Sequence, residues 1–190
     1  MVDKIRVALV GLGNCFSGLI QGIEYYRKNP SQEVIGIIHD KLSDYSIHDI
    51  EFVAGFDVAE NKIGKPVNGA IYESPNMVDW IDKNDMPKTD GMVYESPALD
   101  GVGIWVENKV KPIQSDKSES ELAEEIKKVI KDTRVEIIVS YLPVGSEKAT
   151  QFWANICLET NTAFVNCMPA FIASDKEWAQ KFTDKNIPII

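Results

Sequence analysis

Apolar residues along the chain fall into short unbroken runs separated by segments of helical spacing. Residues 4–10 (Lys-Ile-Arg-Val-Ala-Leu-Val) form such a run and stop at Gly11, the pattern of a strand buried on both faces, as parallel strands are. Asn14 to Lys28 lacks proline and spaces Leu19, Ile20, Ile23 and Tyr26 for a helix that Asn29-Pro30 ends. Residues 31–50 mix an apolar patch, Val34 to Ile38, with polar positions and read as an insertion before a second main strand over 50–58 (Ile-Glu-Phe-Val-Ala-Gly-Phe-Asp-Val). Residues 65–113 are rich in proline and read as loop. Beyond them the spacing of Leu122, Ile126, Val129 and Ile130 predicts a helix over 118–131, opened by a capping box of Ser118 with Glu121. A buried strand over 135–141, a helix over 146–159, a strand over 162–167 and a helix over 175–184 follow. Residues 187–190 (Ile-Pro-Ile-Ile) read as a strand just beginning.

Strands alternating with helices predict an α/β fold, a Rossmann-like doubly wound parallel sheet with right-handed crossovers. At 190 residues the chain suits one domain, 1–190, with a sizeable core. No stretch approaches the ~18 uninterrupted apolar residues of a membrane span, and the first residues lack the pattern of a signal peptide. A soluble cytoplasmic protein is expected. The formal charge of −9, from 29 acidic and 20 basic residues, offers no footprint for nucleic acid. An anionic cofactor would need backbone donors and a helix N-terminus to overcome that field. Cys15, Cys157 and Cys167 are odd in number and widely spaced, which argues against a disulfide framework and a zinc site; His39 and His48 read as ordinary surface or loop residues.

Gly11-Leu12-Gly13-Asn14 stands at the first strand-to-helix junction, where a dinucleotide fold needs glycine for a tight turn and for backbone approach to a pyrophosphate. The amides opening the next helix add donors and a favourable dipole. A turn without ligand is the alternative. The third small residue of the usual pattern is replaced by Phe16, whose ring is expected to obstruct close helix–strand packing. Asp57, ending the second main strand, suits the hydroxyls of an adenosine ribose and would repel a 2′-phosphate, favouring NAD over NADP; alternatively it caps the turn at Ala59-Glu60. Ser140-Tyr141-Leu142-Pro143 and Asn166-Cys167-Met168-Pro169 leave later strands at their carboxyl ends, where such folds place ligands. Tyr141 reads equally well as a packing residue. Cys15 sits where a thiol's pKa tends to fall, but no histidine is near it in sequence, and packing is the simpler role. The lysines at 127, 128 and 131 read as a solvated helix face.

These residues together resemble the myo-inositol-1-phosphate synthases, in particular their bacterial and archaeal branch. The matching stretches are Gly-Leu-Gly-Asn-Cys-Phe-Ser-Gly-Leu-Ile-Gln-Gly (11–22), Ile-Glu-Phe-Val-Ala-Gly-Phe-Asp-Val (50–58), Leu-Asp-Gly-Val (99–102), the run from Val139 to Glu147, and Phe164 to Asp175. The likeness continues through Glu177-Trp178 and Ile187-Pro188-Ile189. It implies NAD as cofactor, held by Gly11, Leu12, Gly13, Asn14, Cys15, Asp57, Ser140, Tyr141, Leu142, Pro143, Asn166 and Pro169. It implies a reaction of inositol and phospholipid biosynthesis. Glucose 6-phosphate is oxidised at C5, closed by an intramolecular aldol step and reduced again, with no net redox change. The family's catalytic lysines follow the Ile-Pro-Ile region, and its second domain forms a tetramer through a large sheet. The chain is therefore expected to stop before the catalytic and tetramerisation domain, to hold no catalytic residue or metal, and to be inactive alone. A different NAD-dependent oxidoreductase domain and a non-catalytic interaction module are the other readings.

Overall fold

The computed structural model describes residues 3–30, 36–39, 41–103 and 107–190. The start of the expected insertion, with Val34 and Ile35 of its apolar patch, lies outside the described residues. The chain runs β1 (Ile5–Val10), α1 (Asn14–Lys28), a small hairpin of β2 (Lys41–Leu42) and β3 (Tyr45–Ser46), and β4 (Ile50–Asp57). It continues through α2 (Val67–Ala70), β5 (Met92–Glu95), α3 (Glu119–Asp132), β6 (Ile137–Ser140), α4 (Glu147–Thr160), β7 (Ala163–Asn166) and α5 (Lys176–Asp184). Five strands form one parallel sheet in the order β5-β4-β1-β6-β7.

The central strand explains why its sequence is an unbroken apolar run. Val7 and Leu9 pack on one face with Leu12, Phe16 and Ile20 of the α1 side. Ala8 and Val10 pack on the other, with Ile126, Ile130, Trp153, Phe164 and Phe182 from the side of α3, α4 and α5. Both faces are covered, as a parallel sheet requires. The register against β4 slips by one residue between Val7 and Ala8, a bulge opposite Val53. Ser118 and Glu121 form the expected capping box of α3.

One place departs from the expectations. β5 lies inside the stretch read as loop: four residues at the sheet edge, with only Val93 fully buried, carry too little pattern to stand out among prolines. The final residues, read as a strand just beginning, do pair with β7, Ile190 N–H donating to Phe164 O at 3.0 Å and Asn166 N–H to Ile190 O at 2.8 Å.

Phe16 does not obstruct packing; it supplies it. The ring is fully buried among the α1-side core residues and meets Tyr141 edge-on, centroids 4.7 Å apart. The space that a small residue would leave between α1 and the sheet is filled by this aromatic pair. The helix then anchors the loop beyond α2: Ser17 Oγ donates to Ile71 O, Gln21 Nε2 to Val78 O, and Ile81 N–H to Gln21 Oε1. Phe16→Ala is expected to cost about 3–5 kcal/mol, the loss for emptying a buried aromatic site. Urea unfolding followed by far-ultraviolet circular dichroism measures it, and a loss below about 1 kcal/mol would mean the ring is not a core element.

Candidate functional site

After β1 the chain builds outward through β4 to β5, then returns to the other side of β1 for β6 and β7. The loops leaving β1 and β6 therefore diverge at the carboxyl ends of neighbouring strands, the switch point where open α/β sheets receive ligands. Gly11 takes φ 80°, and a Cβ there would lie 2.9 Å from Tyr141 O, so the two loops can approach only because residue 11 is glycine. Gly13 N–H donates to Gly11 O at 2.8 Å, tightening the turn. At Gly13 itself a Cβ would meet nothing within 4 Å. Helix α1 then opens with no side-chain cap and no acidic residue in its first turn. Its first amides lack intrahelical acceptors and form the positive end of the helix dipole.

Behind this turn lies a buried polar cluster. Asp57, 8% exposed, accepts from Leu12 N–H through Oδ2 at 2.8 Å and from Ala59 N–H through Oδ1 at 2.9 Å. It thus caps its own turn, as the second reading of its sequence position expects, and also reaches the glycine turn. Lys62, 3% exposed, donates from Nζ to Leu12 O at 2.8 Å and to Asn76 Oδ1 at 3.2 Å, and stands 3.8 Å from Asp57 Oδ2. Asn76 Nδ2 donates to the same Leu12 O at 2.9 Å. Asn14 Oδ1 accepts from Met77 N–H, tying the start of α1 to this loop. Desolvation holds the Lys62 ammonium below its ordinary pKa of 10.5, with Asp57 and Glu73 pulling the other way.

The opposite wall is apolar. A cavity of about 190 Å³ runs from Gly11, Gly13 and Asn14 past Asp57 and Lys62 to Ser96, Pro97 and Ala98, with Tyr141-Leu142-Pro143, Phe56 and Trp153 completing it. Asp100, in the Leu-Asp-Gly-Val stretch, accepts from Lys148 N–H and Ala149 N–H at 2.8 Å each. It closes the N-terminus of α4 from outside, leaving that of α1 open. A hydrogen bond with Cys167, then burial and the nearby Cys15, hold the Tyr141 phenol above its ordinary pKa of 10.0, keeping it neutral and able to donate at physiological pH.

Of the residues singled out from sequence, Gly11, Gly13, Asn14, Asp57, Tyr141, Leu142 and Pro143 line this cavity. The others stand off its wall. The Leu12 side chain is buried in the α1-side core, and its peptide groups are taken by Asp57, Lys62 and Asn76. Cys15 is exposed. Ser140 is fully enclosed, with no hydrogen-bond partner for its Oγ among the described residues, because β6 is covered on both faces at that point. Asn166 shapes its own loop, donating to Met168 O and Ala170 O, and Pro169 lines a separate hollow of about 210 Å³ beside Gly145 and Phe171. Lys62, Asn76 and Asp100 went unassigned in the sequence. A lone lysine reads as solvated by default. The only signal was position: five residues beyond Asp57 in a short turn.

Comparison with known proteins is consistent with the architecture. The chain is 43% identical over 188 residues to the inositol-3-phosphate synthase of Mycolicibacterium smegmatis, covering 98% of this chain and 50% of that protein. It is 46% identical over 189 residues to the enzyme of the same name from Corynebacterium glutamicum, covering 99% and 50%. Among solved structures, Ari2 superposes with TM-score 0.82 at 27% identity over 99% of this chain and 54% of that one. A myo-inositol-1-phosphate synthase-related protein from Thermotoga maritima superposes with TM-score 0.77 at 22% identity, over 98% and 53%, a likeness of fold. No family model matches. The chain is similar along essentially its whole length to proteins named inositol-3-phosphate synthase and spans about half the length of the curated relatives it matches.

Gly11→Ala forces a side chain into a left-handed backbone and against the Tyr141 carbonyl. A loss of about 1–3 kcal/mol is expected in denaturant unfolding. Gly13→Ala, where the space is open, is expected to leave stability within about 1 kcal/mol. Equal effects at the two glycines would contradict this account of the turn.

Proposed function

We propose that this chain is the NAD-binding half of an inositol-3-phosphate synthase. The observation that carries the reading is the open cradle of Gly13 and the uncapped start of α1, facing the carboxylate that ends the next sheet strand. It stands in a chain 43–46% identical to proteins named for that activity.

The residues present fit the cofactor. The free amides opening α1 would take the diphosphate, and the absence of a Cβ at Gly13 lets it reach the backbone. Each Asp57 oxygen already accepts one amide and keeps a further acceptor site, one for each adenosine ribose hydroxyl. Its charge disfavours a 2′-phosphate. Tyr141, Leu142 and Pro143 would border the nicotinamide side, and the apolar wall of Phe56 and Trp153 keeps water from the inner end. The cavity is smaller than the ~300–1,000 Å³ of whole-ligand pockets, so it holds part of an extended dinucleotide. Bound there, NAD would supply the hydride acceptor and later the donor in the conversion of glucose 6-phosphate to inositol phosphate.

Calorimetric titration tests the reading. NAD is expected to give a saturable isotherm, and Asp57→Ala to weaken it about tenfold or more, the scale for removing a charged hydrogen-bond acceptor. A titration into the millimolar range without saturable heat would sink the proposal.

A further inference from the structure

Among the described residues Lys62 is the only lysine or arginine that is buried. Burying an ammonium costs solvation that an apolar side chain of similar length would not. Its position is built rather than accidental. Asp57 Oδ1 caps the turn at Ala59, and Lys62 N–H donates to Ala59 O at 3.0 Å, so the turn that follows β4 folds Lys62 back beneath the glycine turn. There Nζ makes a charge-assisted hydrogen bond to Leu12 O at 2.8 Å, and at 3.8 Å from Asp57 Oδ2 it is an ion-pair neighbour rather than a direct donor.

We propose that Lys62 is the positioning residue of the cofactor turn, holding the Leu12 carbonyl while offsetting the charge of Asp57, so that both are set before a dinucleotide arrives. The inference rests on the cofactor reading above. It adds a specific division of labour: Asp57 fixes the Leu12 N–H, and Lys62 with Asn76 fixes its carbonyl. The cation also places one positive charge at the wall of a cavity in a chain of net charge −9.

A second consequence separates this role from a purely structural one. The Lys62 pKa is lower in the folded chain than the unfolded value of 10.5. Between the two, the unfolded state binds more protons, so folding stability rises with pH. Dinucleotide affinity must move the other way, because a diphosphate favours the protonated ammonium. The titratable groups facing the region are Asp57 and Glu73 beside Lys62, and Tyr141 with Cys15 and Cys167 across the cavity.

The test compares wild type with Lys62→Met by amide hydrogen exchange without ligand at neutral pH, and by NAD calorimetry from neutral pH up to 10.5. In Lys62→Met, protection of the Leu12 amide is expected to fall about tenfold or more, with central-sheet amides unchanged, and the Kd for NAD to rise by a similar factor. Wild-type affinity is expected to fall with rising pH toward that of Lys62→Met, whose own profile reports the remaining titrating groups. Unchanged Leu12 protection, or parallel pH profiles in the two proteins, would overturn the proposal. If Lys62→Met does not fold, Lys62→Gln replaces it and the same criteria apply. Should wild type bind no NAD, the cofactor reading fails, while Leu12 exchange still decides whether Lys62 holds the turn.

Discussion

The site depends on how one stretch of main chain is held, that of Leu12. Its N–H is taken by the Asp57 carboxylate, its carbonyl by Lys62 and Asn76, and its side chain lies against β4, where a Cβ at Gly55 would come within 3.0 Å of Leu12 Cδ1. Each contact comes from a different part of the chain: the end of β4, the turn after it, and the loop beyond α2. A backbone segment bonded at both polar groups, with its side chain in the core, must give up those bonds and that packing to change conformation. Gly11, with its left-handed backbone and its approach to Tyr141, stands directly before this anchored residue. The turn is held by the protein's own contacts, a preorganisation that would favour a cofactor bound there.

This division explains which parts of the molecule were legible beforehand. β1, α1 and α3 stood out because their patterns run long enough to be unambiguous, and the capping box at Ser118 fixed the start of α3. β5 did not, since four edge residues carry almost no periodicity. At the site, glycine spacing and the strand-ending aspartate were readable because they follow from backbone geometry at a switch point. Lys62 and Asn76 were not. Their roles depend on a loop folding back over tens of residues, and nothing local distinguishes a buried lysine from a solvated one. Phe16 shows the converse: read against a glycine pattern it looks like a defect, yet the ring and Tyr141 jointly fill the space between α1 and the sheet. The rule of a small third residue is one solution to helix–strand packing, and an aromatic pair is another.

The two helices that start beside the cavity settle how an acidic chain can present a place for an anion. At a net charge of −9 the general field repels phosphate, so any attraction must be local. Helix α4 points its N-terminus into the same region, but Asp100 occupies its first amides and cancels its positive end. Helix α1 has a glycine cap that contributes no side chain, and no acidic residue in its first turn. The same end of the sheet thus holds one helix terminus consumed by a carboxylate and one left open, with a buried ammonium behind the open one. The choice of which terminus to cap, rather than the count of charges, is what would direct an anion to the glycine turn.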